Sequence, residues 1–205
     1  MKTPADYLEA PSDLAHRAIE TARTWLDPRI LAHSERSWVF AAALGEQEGL
    51  DFDPEILCLS SMLHDLGLAE PFDAHRAPFE QASGAVATIF AAGAGMHPPR
   101  ARAIAVAIEA HMRDEIDPVR TPEGYLLEAA TALDVCGRDL DQWDARLLRE
   151  VVEQLPRTDF TEQFTHAIHR DAARKPGTAA AALDGSGRIR TGEEIWSTFL
   201  RRSAP

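Results

Sequence analysis

The chain has 205 residues, 45% of them hydrophobic, and a formal net charge of −12 at pH 7. That length and apolar fraction suit a single buried core, so one domain is expected. The acidity, with Lys2 and Lys175 the only lysines, argues against nucleic acid or an anionic membrane as partner, because phosphate-rich surfaces require a basic face; a small molecule is the expected partner.

The opening stretch "MKTPADYLEAP" carries no apolar leader core, and no segment nears the roughly 18 apolar residues of a membrane span, which points to the cytoplasm. Strand signals are nearly absent, with little alternation and Ala-rich windows throughout, so the expected fold class is all-α. Ser12 reads as the N-cap of a helix reaching about Leu26, and Pro28 opens a second helix running to about Gln47. Asp53-Pro54 supplies an N-cap with Pro at the first helical position, and Gly67 closes that helix. Further helices are expected at about Pro78–Ala92, Pro98–His111, Pro122–Leu140 with Thr121 as cap, Trp143–Leu155 and Phe160–Ala173. The segment "KPGTAAAALDGSGR" reads as mobile, and Thr191 with Glu194 reads as a capping box for a short last helix ending near Arg202. The expected organisation is therefore a helical domain over 1–175 and a mobile segment with a terminal helix over 176–205. The stripe Ile195, Trp196, Phe199 and Leu200 on that helix is a docking element for a partner subunit, which leaves a homo-oligomer open.

Within this pattern His64-Asp65 is out of place, at the end of the apolar run "EILCLSSMLHDLG". Burying an ionisable pair is costly unless something pairs with it, and a metal ion is the strongest such partner. His33 in "LAHSERSW" and Asp134 in "EAATALDVCG" are likewise polar residues set into apolar helical runs. The cysteines, Cys58 and Cys136, sit inside apolar runs and read as reduced thiols rather than a disulfide or a zinc knot.

The order His, His-Asp, Asp, each on a helix, resembles the HD superfamily of metal-dependent hydrolases, which implies a single-domain HD-type helical bundle. The resemblance implies that His33, His64, Asp65 and Asp134 bind a divalent metal, with Arg36 three residues after the first histidine extending the match. The stretches "APFEQASGAVATIFAAGAG" and "AIAVAIEAHM" narrow it to the cyanamide hydratase-like branch, which puts Glu80 and His111 on branch positions; Met112 departs from that pattern where a small hydroxyl residue is expected. The resemblance covers about His33 to about Gly137. On it Asp65, Glu80, His111 and Arg36 are the catalytic candidates, with Arg36 either anchoring an anionic substrate or holding Asp65 or Asp134.

Two imidazoles and two carboxylates suit zinc or iron first, and manganese or nickel as well, while leaving a coordination position open. Successive helical residues point about 100° apart, so His64 and Asp65 meet one ion only if the helix ends there. A metal lowers the pKa of bound water to roughly 7, and His111 or Glu80 would handle the proton. The expected enzyme is a metal-dependent hydratase or hydrolase of a small molecule, similar to cyanamide hydratase. The alternatives are an HD-type phosphohydrolase, for which Arg36, Arg113 and Arg138 are the nearby cations, and a non-catalytic ligand-sensing module. Read without the resemblance, Glu80 is a first-turn carboxylate, His111 a helix-end imidazole, and Trp38, Phe40 and Phe79 core residues. His97 and His75 are candidates for a second ion, both in expected loops.

Overall fold

Prolines open most of the helices and left-handed glycines close several of them. The structure, a computed structural model, describes residues 2–113 and 115–202. Among these residues there are eleven α-helices and no strand. They are α1 (Pro4–Leu8), α2 (Asp13–Trp25), α3 (Pro28–Glu48), α4 (Pro54–Leu63), α5 (Phe79–Gly93), α6 (Pro98–Ala110), α7 (Pro122–Cys136), α8 (Ala145–Gln154), α9 (Phe160–Ala172), α10 (Ala179–Ser186) and α11 (Arg188–Arg201). None of the described helices is long and apolar enough to cross a membrane.

The long helix α3 lies at the centre, packed against α4, α7 and α9, and α5 and α6 form an antiparallel-type pair beside α4. Its start is specified locally, since Asp27 caps Arg29 N–H and Pro28 occupies the first turn, and its end by Gly49 at φ 64°. Val39, Phe40 and Ala41 are fully buried on α3 and belong to one core with Leu57 and Leu59 of α4 and Leu126, Leu127 and Leu133 of α7. Burying an aliphatic side chain of this kind contributes about 1.5–3 kcal/mol.

Several boundaries differ from expectation, each for a local reason. Helix α4 stops at Leu63, not at Gly67, and Leu66–Leu68 form a 3-10 turn. Gly67 is required there because a β-carbon would collide with the Phe79 carbonyl at the start of α5. Helix α7 ends at Cys136, with Gly137 at φ 63°, and Leu140–Gln142 is a separate 3-10 turn. Thr121 precedes α7 but makes no side-chain cap, and α8 begins at Ala145, capped by Asp144 rather than opening at Trp143. The short α1 was not expected.

The largest difference is at the C-terminus. Where a mobile segment is expected, Thr178 caps Ala181 N–H and the Ala-rich run forms α10, consistent with the high helix propensity of alanine. Thr191 and Glu194 form no capping box; they lie inside α11, which starts at Arg188 after Gly187. Helix α10 packs on α9 and α11 on α7. Of the stripe on α11, Ile195 stays exposed and Phe199 and Leu200 are half-buried, while Trp196 is fully buried and donates from Nε1 to the Leu133 carbonyl at 2.9 Å. Gly192 permits this contact, because a β-carbon there would strike the backbone of Val135 and Cys136.

Candidate metal centre

Three helices bring four side chains to one buried region. His33 projects from the second turn of α3, His64 is the C-cap residue of α4, Asp65 follows it, and His111 is the C-cap residue of α6. Asp65 has left helical geometry (φ −103°, ψ 5°), which lets two consecutive side chains turn toward the same space.

His33, His64 and Asp65 each offer an atom to a common centre and are all buried. The Nε2 atoms of His33 and His64 are 3.3 Å apart, and Oδ2 of Asp65 is 3.3 Å from His64 Nε2 and 3.8 Å from His33 Nε2. The other ring nitrogens are committed: His64 Nδ1 donates to the Ser61 carbonyl at 2.8 Å, and His33 Nδ1 donates to Asp134 Oδ2 at 2.7 Å. These partners assign the protons to Nδ1, so both Nε2 atoms present lone pairs. The triangle thus holds three acceptors and no donor. Neither oxygen of Asp65 has a hydrogen-bond partner among the described residues.

An arrangement of this kind is costly without a cation, since an orphaned buried charged group is among the most expensive features a fold can carry. Burial pushes the Asp65 carboxyl up from its usual range. Burial, then the neighbouring His33, pushes His64 down to about 3, which keeps its imidazole neutral and ligating. With metal–ligand bonds of about 2.0–2.2 Å, two ligands on one ion lie about 3–4 Å apart according to the angle between them, and the three separations fit.

Asp134 stands outside this triangle, with both oxygens turned to other donors. Its Oδ1 accepts from Arg36 Nε at 2.9 Å and from Arg157 Nη1 at 2.5 Å, and its Oδ2 from Arg36 Nη2 at 2.8 Å and His33 Nδ1. Burial would raise its pKa, but Arg36, Arg157 and His33 outweigh it and hold the carboxyl well below the usual range. Asp134 is therefore placed to fix the tautomer and orientation of His33 from behind, as carboxylates do behind metal-bound histidines.

Arg36 is fully buried, holds Asp134 and donates also to the carbonyls of Leu155 and Pro156, and it is not among the residues lining the cavity described below. Arg157 was not anticipated. It donates to both the carboxylate and the backbone carbonyl of Asp134 and lies over the rings of Phe160 and Trp196. Phe160 stacks on His33 with centroids 5.0 Å apart, and Phe164 completes that wall. In the sequence "LPRTDF" Arg157 follows a helix-terminating proline and carries only a turn signal.

A cavity of about 390 Å³ opens outward from the triangle. At its inner end His111 meets His64 edge-on at 5.0 Å, and Phe79 flanks it at 5.9 Å. His111 Nδ1 donates to the Ile108 carbonyl, and burial followed by His64 pushes its pKa down to about 3. Its Nε2 is thus the unprotonated nitrogen. Glu80, one residue after Phe79, does not line the cavity. It is buried, desolvation raises its pKa, and Asp171 adds to the rise. His97 and His75 are exposed and lie outside the cluster. The thiol of Cys58 is buried and pushed up to about 12, whereas Cys136 is half-buried at the cavity wall.

The family model for the HD domain matches residues 30–147, more than half of the chain and inclusive of all four motif positions. Over 177 residues the chain is 27% identical to cyanamide hydratase DDI2 of Saccharomyces cerevisiae, covering 84% of this chain and 78% of the relative. Cyanamide hydratase DDI3 of the same yeast matches to the same extent.

Proposed function

The chain belongs to the HD domain family, and on that premise we propose that it is a metal-dependent enzyme that hydrates a nitrile-like small molecule. The observation that carries the reading is the donor-free triangle of His33 Nε2, His64 Nε2 and Asp65 Oδ2 at the inner end of a cavity. These three side chains would hold the ion, and Asp134 would orient His33. A divalent ion held there supplies Lewis-acid polarisation and an activated water at neutral pH.

Hydration adds water across the C≡N bond: oxygen goes to carbon, hydrogen to nitrogen, and a tautomeric shift gives the amide with no leaving group. His111 serves this bookkeeping of protons. Its Nδ1 is anchored on Ile108, which leaves Nε2 as the nitrogen able to accept a hydrogen bond from the attacking water or the substrate and to relay a proton between them. Phe79 and Phe164 exclude bulk water from the inner end, which strengthens each polar contact there.

A second reading, phosphoester hydrolysis, is favoured by three arginines, Arg113, Arg138 and Arg188, which line the same cavity. All three are exposed, at the outer end, whereas phosphoryl transfer demands cations where charge develops, beside the buried triangle. Hydration is the better fit. The test is elemental analysis of the purified protein, then amide formation from cyanamide and short nitriles beside phosphate release from mono- and triphosphates. Phosphate release without nitrile turnover would overturn the proposal in favour of the second reading.

A further inference from the structure

The cavity is much larger than the reaction requires. At about 30 Å³ per water in the liquid, 390 Å³ is room for about a dozen waters, and cavities of this order hold ligands well beyond three heavy atoms. Its chemistry changes along its length. The inner end is buried and polar, with His33, His64, Asp65 and His111. The middle is apolar, walled by Met112, Val135 and Leu183. The outer end is exposed and cationic, with Arg113, Arg138 and Arg188.

The three arginines are not equivalent. Arg138 is spent on Glu128, with two contacts of 2.5 Å between guanidinium and carboxylate. Among the described residues neither Arg113 nor Arg188 has a carboxylate partner; Arg188 Nε reaches only the Ser186 hydroxyl at 3.3 Å. In a chain with a net charge of −12, two guanidiniums unmatched by any described carboxylate at one cavity mouth form a local positive field that selects anions. The C-terminal helices contribute to the cavity, since Leu183 lies on α10 and Arg188 opens α11.

We infer that the substrate is an elongated organic monoanion, with its nitrile-like group at the His33–His64–Asp65 end, an apolar spacer along Met112 and Leu183, and a carboxylate bound by Arg113 and Arg188. The inference rests on the hydration reading for the reacting group, but the anion subsite stands on its own residues. The Arg138–Glu128 pair lines the same cavity as a charge-balanced unit.

The experiment uses the metal-loaded protein with two probe sets of matched length: an ω-cyanoalkanoate against the alkyl nitrile, and hexanoate against hexanamide in calorimetry. Hydrogen bonds to a charged group contribute about 1.5–3 kcal/mol when shielded, and less at exposed positions, so the charged nitrile should be favoured roughly tenfold in kcat/KM through KM. In R113Q/R188Q that ratio should fall to about one, and hexanoate affinity should fall roughly tenfold toward that of hexanamide. Both arginines are exposed, so folding of the variant is not at risk. Equal kcat/KM for the two nitriles, or hexanoate binding insensitive to R113Q/R188Q, overturns the inference. If neither nitrile turns over while hexanoate binding still depends on the two arginines, the anion subsite holds and the hydration reading falls.

Discussion

Removing the charge of Asp65 should have opposite effects on the metal-free and metal-loaded protein. Both carboxylate oxygens are fully buried and lack a hydrogen-bond partner among the described residues, so in the stripped protein the group is an uncompensated cost. An unsatisfied buried polar group costs about 1–3 kcal/mol, more when charged. Asp65→Asn keeps the volume and removes the charge, so the apo form should gain about 2 kcal/mol, which for a chain of this size is roughly 4–8 °C in Tm. The wild type at a metal concentration a hundredfold above Kd should gain about 2.7 kcal/mol, roughly 5–10 °C, and the variant should gain nothing. Differential scanning calorimetry of chelator-treated protein with and without zinc, iron or manganese, paired with elemental analysis, measures all four states. The reasoning is refuted if Asp65→Asn melts below the wild type without metal and still shows the full metal-dependent rise.

Asp134→Asn tests the orienting role: metal affinity by competition with a chelator should weaken about 10–100-fold but persist, whereas loss of a direct ligand would abolish it. Arg36→Met leaves the buried Asp134 with one arginine fewer and should cost about 3–5 kcal/mol in urea unfolding. For Asp73, burial pushes the pKa up but Arg174 and Lys175 outweigh it and the net direction is down. A carboxyl depressed in the folded state adds stability above its unfolded pKa of about 3.9 and loses it as pH falls through the folded value. Asp73→Asn should therefore be less stable than wild type at pH 7, with the two unfolding curves converging at strongly acid pH. Trp196→Ala should cost about 3–5 kcal/mol, since α11 loses its buried anchor on α7.

What was legible in the sequence is what local chemistry writes down. Asp27-Pro28 and Asp53-Pro54 mark helix starts because a capping carboxylate and a fixed φ act within one turn, and the structure opens α3 and α4 there. His33, His64 and Asp65 stood out because an ionisable side chain in an apolar run has no cheap place to go, and the fold draws these three together. What was not legible depends on contacts far apart in the chain. Arg157 becomes part of the site only because the turn before α9 passes over Asp134, and nothing in the local sequence records that passage. The run that forms α10 has both alanines, which favour helix, and glycines, which favour a loop; packing on α9 decides between them by burying Ala180 and Leu183.

The division of labour between the two carboxylates follows from their surroundings rather than from their type. Asp134 has two guanidiniums and an imidazole N–H, enough donors to satisfy both oxygens, so it gains little from a further cation. Among the described residues Asp65 has none, and the nitrogens near it, His33 Nε2 and His64 Nε2, carry no proton because those are committed at Nδ1. A cation entering this pocket therefore gains most at Asp65 and at the two Nε2 lone pairs. Arg36 and Arg157, by saturating Asp134, keep it on the far side of His33 as the acceptor that holds the imidazole in the ligating tautomer. An ion held by His33, His64 and Asp65 would adjoin the cavity that these residues line together with His111.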